Sequence, residues 1–201
     1  NFPNILTVMR LVAAPGIVVM FLYFSRPMAD WLALALFLIA AISDWFDVEL
    51  IEFCAVREPQ WTFILIGATV GSDISRLSRL GNVHFLGEIS YGELPAFLVD
   101  FDVATIPFKI NPLTNATNPV KFYEYLSAGK PVVSSNLPEL MPYKDHCYLA
   151  NGPEDFLLKL RLALSEKDIP EKVFERKSLA KANSWDLRGK EFLKHITMLG
   201  K

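Results

Sequence analysis

The sequence has few cysteines and histidines, and it has no clear excess of charge of either sign. Among its 201 residues, only Cys54 and Cys147 are cysteine, and His84, His146 and His195 share no ligand spacing with them or with one another. This scarcity argues against a zinc site and a disulfide framework, and it favours reduced thiols. The 20 basic and 22 acidic residues leave a formal charge of −2, without the basic excess typical of nucleic-acid-binding domains. We therefore expect no nucleic-acid partner.

Charge is scarcest near the amino end. Residues 1–47 contain two basic and three acidic residues, and uncharged runs cover Leu11–Phe24 and Trp31–Ser43. This pattern is typical of a helical hairpin, although each run reaches the roughly 20 residues of a bilayer span only with flanking polar residues. We interpret residues 1–40 as an apolar helical segment, with membrane lipid as a partner and a cytoplasmic location at the inner face of the cell membrane. The alternative is a buried helix pair that covers a soluble core.

From about Leu36 onward the sequence alternates short apolar runs with amphipathic stretches, and we assign residues 41–201 to one domain. Strands are predicted at Leu36–Ala41, Thr62–Gly67, Val83–Gly87, Val103–Phe108, Pro131–Ser134 and Cys147–Ala150. Helices are predicted at Val48–Val56, Ile74–Leu80, Gly92–Val99, Pro119–Ala128, Glu154–Ser165, Glu171–Ala182 and Asp186–Leu199. Continuous apolar strands that alternate with helices predict an α/β domain with a doubly wound parallel sheet.

The segment Leu34–Asp47 carries two incompatible interpretations, since it fits either the end of a membrane helix or the first strand and turn of the sheet. A sheet without that strand would expose a backbone edge. The ionised carboxylates of Asp44 and Asp47 also favour a polar turn over hydrocarbon. We therefore predict a strand at Leu36–Ala41, with Leu11–Phe24 as the only long apolar helix before it.

The candidate binding site follows the strand that ends at Phe108, because ligands of open α/β sheets bind outside the carboxyl ends of the strands. A helix with Pro119 in its first turn and Gly129 after its end begins there. The backbone N–H groups of Val120 and Lys121, with the Lys121 ammonium, would accept a phosphate. Glu124, one turn later, would accept two ribose hydroxyls, although spacing alone favours a solvated helix face for Glu124 and Lys121.

The stretch from Phe101 to Val133, with its core Asn118-Pro-Val-Lys-Phe-Tyr-Glu-Tyr-Leu-Ser-Ala-Gly-Lys-Pro-Val-Val133, resembles the donor-binding half of retaining GT-B glycosyltransferases of family four. That resemblance implies a Rossmann-like domain, a nucleotide-sugar donor as substrate, and no metal cofactor. Glu124 matches the family glutamate that binds the donor ribose. The other family glutamate falls at Ala116, so Asn115, Thr117 or Asn118 would have to replace its sugar contact.

The amino end resembles a different family, the CDP-alcohol phosphatidyltransferases, through Asn1–Leu11 and the phrase Ala-Ile-Ser-Asp-Trp-Phe-Asp47. Asp44 and Asp47 match the first two positions of that family's acidic motif, but the next six positions do not match. Those positions hold Val48, Ile51, Glu52, Trp61, Leu65 and Thr69. The resemblance therefore does not imply phosphatidyl transfer, which needs the full acidic set to hold metal ions.

The two resemblances together indicate a chimera joined within residues 38–47. We expect a nucleotide-sugar-binding domain of a retaining glycosyltransferase (Glu124, Lys121, Val120, Asn118 and Thr117 at the donor). The family's acceptor-binding domain has no counterpart in this sequence, so we expect slow turnover or none. The alternative hypothesis is a non-catalytic, membrane-anchored nucleotide-binding or structural fragment. No oligomeric state follows from the sequence.

Overall fold

The computed structural model describes residues 45–68 and 73–199. The strands are β1 (Phe63–Ile66), β2 (Val83–Gly87), β3 (Ala104–Ile106), β4 (Val132–Ser135) and β5 (Tyr148–Ala150). The helices are α1 (Val48–Arg57), α2 (Leu94–Asp100), α3 (Pro112–Asn115), α4 (Val120–Ser127), α5 (Pro153–Ser165), α6 (Pro170–Ala182) and α7 (Trp185–Leu199). Two 3-10 segments, Leu77–Arg79 and Pro138–Tyr143, complete the secondary structure of the described residues.

All paired strands of the described residues are parallel, as the sequence predicts. β1 pairs with β2, and β3, β4 and β5 form a second sheet in that order. Helices cover both faces of the second sheet. Adjacent residues of a strand point to opposite faces, so neighbouring residues of β4 show what packs on each face. Val133 packs in one core cluster with Phe156 of α5, whereas Val132 packs in another with Phe122 of α4. The α/β class is therefore confirmed, while the pairing found here is two sheets rather than one.

The strand predicted at Leu36–Ala41 lies outside the described residues, and so does the apolar helix predicted at Leu11–Phe24. Their neighbours in the chain, Trp45 and Phe46, are not helical. Phe46 forms an antiparallel bridge with Phe108, flanked by hydrogen bonds from Asp47 N to the Pro107 carbonyl and from Lys109 N to the Trp45 carbonyl, both 2.8 Å. Trp45 and Phe46 are therefore not part of a helix, while residues 31–44 lie outside the described residues.

Helix α1 begins where Asp47 caps it. The Asp47 carboxylate accepts a hydrogen bond from the backbone N–H of Leu50 at 3.0 Å, which satisfies one of the amides left without a partner at a helix start. The apolar face of α1 then packs against β2 and Leu77. This placement agrees with the prediction that Asp47 lies at a polar turn.

The helix predicted at Ile74–Leu80 is wrong in type and length, since only the 3-10 turn Leu77–Arg79 forms there. A segment this short depends on tertiary packing for its helical stability, and within it only Leu77 is buried. The Asp73 carboxylate also bonds the backbone N–H of Ser75 at 3.1 Å, which favours a local turn. The other predicted helices and strands of the described residues form, with ends shifted by a few residues at most.

Polar groups join the elements around α1. The amide nitrogen of Asn82, which precedes β2, donates to the carbonyls of Ala55, Glu58 and Trp61 at 3.0–3.2 Å. The Glu58 carboxylate is buried and accepts from both Nε and Nη2 of Arg161 on α5. These contacts fix the end of α1 against the start of β2 and against α5.

Among the helices in residues 45–68 and 73–199, none combines the length and apolar character needed to cross a membrane. The proposed membrane segment, residues 1–40, lies outside these ranges.

Candidate functional site

The candidate site lies at the carboxyl ends of the parallel strands, where the sequence analysis places it. The loop after β2 and the loop between β3 and α4 both open at this edge. Tyr91 of the first loop reaches Glu124 of α4, and its hydroxyl donates to Glu124 Oε1 at 2.9 Å. The site is therefore built from two segments that are far apart in the chain.

Helix α4 begins at Val120 with two backbone donors available. Pro119 precedes the helix in an extended conformation and has no N–H of its own, and no side chain caps the helix. Within the described part of the chain, the N–H groups of Val120 and Lys121 have no acceptor, whereas Phe122 N bonds the Pro119 carbonyl at 3.0 Å. Two unpaired amides at a helix N-terminus are suited to an anionic ligand.

Lys121 adds a positive charge to this end of the helix. Its Nζ lies 5.7 Å from the centre of the Phe108 ring, which is within the range of a cation–π contact. Burial against this apolar neighbour lowers the pKa of Lys121, and the charge of Glu124 opposes that effect. Because the residue as a whole is exposed, the desolvation is partial, and we expect the lysine to be charged at neutral pH.

Glu124 is half-buried on the second turn of α4, with its carboxylate turned toward the loop after β2. Its negative charge and its hydrogen bond raise the pKa of Tyr91. Glu124 also contributes, after burial, to raising the pKa of Tyr125 to about 12. The carboxylate is therefore a local source of negative charge with a neutral phenol as its hydrogen-bond donor.

Asn118 is tied into a side-chain network. Its amide nitrogen donates to Tyr123 Oη at 3.3 Å, and Tyr123 in turn donates to Tyr143 Oη at 3.3 Å. Arg188 of α7 donates to Tyr123 Oη at 2.7 Å and lies over the same ring, 4.6 Å from its centre. The Asn118 Oδ1 is shielded from solvent and has no donor among the described residues. A ligand hydroxyl would reach this oxygen only if neighbouring side chains move.

The other residues considered for the sugar contact differ in their surroundings. Thr117 Oγ1 donates to the Leu113 carbonyl at 2.7 Å, which leaves its lone pairs available. Asn115 is exposed at the end of the one-turn helix α3 and Ala116 caps that turn. Asn111 and Thr114 fix the turn with a reciprocal capping box. The loop before α4 is therefore braced internally, and Thr117 and Asn118 are the residues in it that adjoin the helix start.

The structure thus brings together four of the predicted site residues, Asn118, Val120, Lys121 and Glu124, and places Thr117 beside them. Sequence reasoning missed Tyr91, which has no motif around it, and also Tyr123, Tyr143 and Arg188.

Metal-binding groups and clefts elsewhere in the described residues do not add to this site. In residues 45–68 and 73–199, no group of three or more His, Cys, Asp or Glu side chains could hold a metal ion. A cleft of about 120 Å³ lies beside the amino end of β5, at the opposite edge of the sheet from Glu124. Its lining mixes acidic and basic side chains, among them the ion pair of Arg176 with Glu166. None of its lining residues belongs to the loop after β2 or to the loop between β3 and α4.

The chain is similar to known proteins over most of its length. The chain matches the family described as glycosyl transferases group 1 over residues 18–166. A curated relative, the putative teichuronic acid biosynthesis glycosyltransferase TuaH of Bacillus subtilis (strain 168), is 31% identical over 165 residues, 78% of this chain and 41% of that protein.

A shorter similarity concerns a second family. The CDP-diacylglycerol--glycerol-3-phosphate 3-phosphatidyltransferase of Cereibacter sphaeroides is 68% identical over 47 residues, 23% of this chain and 21% of that protein. The chain therefore spans well under half the length of either relative. The comparisons thus support the resemblance to glycosyltransferases, and they support the resemblance to phosphatidyltransferases over a short segment only.

Proposed function

This chain belongs to the group 1 glycosyl transferases, and we propose that its described domain binds the nucleoside diphosphate part of a nucleotide-sugar donor. The observation that carries the proposal is the pair of amides at Val120 and Lys121, which have no acceptor among the described residues and lie one helical turn from the carboxylate of Glu124. The two amides would bind an anionic group, and the carboxylate would bind a pair of vicinal hydroxyls. A nucleoside diphosphate carries both of them.

The roles of the residues follow from their chemistry. The pyrophosphate would accept hydrogen bonds from the amides of Val120 and Lys121 and a charge contact from the Lys121 ammonium. The ribose hydroxyls would donate to the Glu124 carboxylate, which is acceptor-only when ionised. Thr117 would face the sugar end of the donor, since it precedes the helix start, and Asn118 would join it there only after neighbouring side chains move.

The same arrangement supports glycosyl transfer in the whole protein. When the bond between the sugar carbon and the diphosphate oxygen breaks, negative charge stays on the leaving diphosphate. The partial positive charge of the α4 N-terminus, about half an elementary charge, and the Lys121 ammonium would stabilise that charge. The sugar carbon would then bond an acceptor hydroxyl, whose proton is released.

Transfer is proposed for the whole protein because the chain spans 41% of the length of TuaH. Holding an acceptor against a donor contributes about 7 to 11 kcal/mol to catalysis in favourable cases. We therefore expect slow turnover by this chain alone. Rapid transfer to a defined acceptor by the purified chain would contradict this expectation. The name of TuaH places that protein in teichuronic acid biosynthesis, and we extend to this chain only the class of glycosyl transfer.

The alternative function is nucleotide binding without turnover, and the short segment shared with a phosphatidyltransferase is the observation that favours it. That segment supports a chimera, in which the donor domain follows sequence of a different family.

We also propose that residues 1–40 associate with lipid at the inner face of the membrane. Flotation of the full chain with anionic vesicles, compared with a chain lacking residues 1–40, tests this association.

Calorimetry of the full chain with UDP, GDP and ADP tests the proposed donor site. We expect at least one of them to bind, and we expect Glu124→Ala to weaken that binding by about 1 to 3 kcal/mol, the usual cost of losing a charged hydrogen-bond partner. Glu171→Ala is the matched control, because Glu171 is an exposed carboxylate in the first turn of α6. Failure of all three nucleotides to bind the folded chain would refute the proposal.

A further inference from the structure

We propose that Tyr91 is a binding residue of the donor site, and that the nucleobase of the nucleoside diphosphate stacks on its ring. The inference rests on the proposed function and adds a residue and a ligand group to it. Its basis is the contact between the Tyr91 hydroxyl and Glu124 Oε1, 2.9 Å, at the carboxyl edge of the strands.

The exposure of Tyr91 is the first argument. The residue is 75% exposed, although a tyrosine ring in a folded domain usually gains stability by burial. Tyr91 lies in the loop between β2 and α2, and within the described residues only Glu124 holds its side chain by a hydrogen bond. The ring is thus positioned by its polar end and leaves its faces open to a ligand.

The partner of the hydroxyl is the second argument. An ionised carboxylate offers about four lone-pair sites on its two oxygens. Tyr91 uses one of them on Oε1, and the two hydroxyls of a ribose would use two more. The tyrosine can therefore stay in place when the ribose binds, and its ring then lies beside the nucleoside.

The charge of the site is the third argument. Glu124 raises the pKa of Tyr91, so the phenol keeps its proton and remains a donor to the carboxylate at neutral pH. A neutral aromatic ring accepts any nucleobase by stacking, since every base has a π-face. Base stacking on Tyr91 thus complements the contacts of Lys121 and Glu124, which address the phosphates and the ribose.

The test compares two variants of Tyr91 by calorimetry of the full chain with UDP. Tyr91→Ala removes the ring and is expected to weaken UDP binding about 5- to 150-fold, the range that one stacked base gives by alanine substitution. Tyr91→Phe keeps the ring and is expected to weaken binding less than about 5-fold. The absorbance of uracil should fall on binding to the wild type and to Tyr91→Phe, and should not fall with Tyr91→Ala.

Phe174→Ala is the matched control, because Phe174 is a 72% exposed aromatic residue on α6, outside the loop that carries Tyr91. Its UDP affinity should equal that of the wild type. Equal UDP affinity of Tyr91→Ala and the wild type would overturn the inference and leave the proposed function standing. Equal weakening by both Tyr91 variants would also overturn it, because the hydroxyl rather than the ring would then matter. If the wild type binds no nucleotide, the proposed function and the inference both fail.

Discussion

The guanidinium of Arg176 and the carboxylate of Glu166 form a shielded ion pair, with Nη2 and Oε1 2.6 Å apart. Arg176 is only 3% exposed, and its Nη1 also lies 3.3 Å from the Gly129 carbonyl. One arginine on α6 thus contacts both the residue that follows α5 and the glycine that follows α4.

Loss of this arginine should destabilise the domain. Arg176→Met leaves the half-buried carboxylate of Glu166 without its cation, which costs about 3 kcal/mol or more for a buried pair. Urea unfolding measures the change in the free energy of unfolding. Lys172→Met is the control on the same helix, since its ion pair with Glu175 is exposed and should contribute less than about 1 kcal/mol. Equal stability of the two variants would contradict the prediction.

Gly129 should not tolerate a side chain. Its φ is +79°, and a Cβ there would lie 2.9 Å from Val173 Cγ1. We expect Gly129→Ala to lower the free energy of unfolding by about 1–2 kcal/mol for the backbone conformation alone, with a steric cost in addition. Gly189→Ala is the control within α7, where a Cβ meets nothing within 4 Å, and it should stabilise by up to about 1 kcal/mol. Thermal or urea unfolding measures the stability of both variants. A Gly129→Ala variant as stable as the wild type would refute the predicted clash.

Lys121 should contribute to phosphate binding. We expect Lys121→Gln to weaken UDP binding by about 1.5–3 kcal/mol, because a charged hydrogen bond to the pyrophosphate is lost. Calorimetry at two salt concentrations should show a smaller salt dependence in the variant than in the wild type. Lys181→Gln, an exposed lysine in the last turn of α6, is the control and should bind UDP unchanged. Unchanged affinity of Lys121→Gln would place Lys121 outside the site.

Stability should fall at alkaline pH. Burial raises the pKa of both thiols, Cys54 and Cys147, from 9.0 to about 12, and raises the pKa of Tyr125 and Tyr148 from 10.0 to about 12. A raised pKa means that the folded state holds the proton more tightly, so the stability from each group is complete below its unfolded pKa and is lost as pH rises toward 12. Urea unfolding at a series of pH values should show this loss beginning near pH 9.

The thiols and the tyrosines can be separated. In a variant with Cys54→Ala and Cys147→Ala, the loss that begins near pH 9 should disappear, while the loss from the tyrosines should begin near pH 10 as before. Stability that does not change up to pH 11 would show that these groups are not shielded in solution.

Much of the fold is local in origin. The runs at Phe63–Ile66 and Val83–Gly87 are short, mostly apolar and bounded by turns, which is typical of strands. The helix at Val120–Ser127 has proline before it and glycine after it, so its ends could be predicted. The 3-10 turn at Leu77–Arg79 could not, because a stretch this short is decided by what packs against it.

The sequence by itself determined where the candidate donor residues lie on α4, since Val120 and Lys121 stand at a helix start, where amides lack partners within the helix, and Glu124 follows one turn later. Only the tertiary structure decided what meets them. Tyr91 bonds Glu124 across 33 positions of the chain, and Arg188 bonds Tyr123 across 65. Local periodicity specifies which face of an element is apolar, but the choice of a distant hydrogen-bond partner depends on how loops and helices pack together, and that information is distributed over the whole chain.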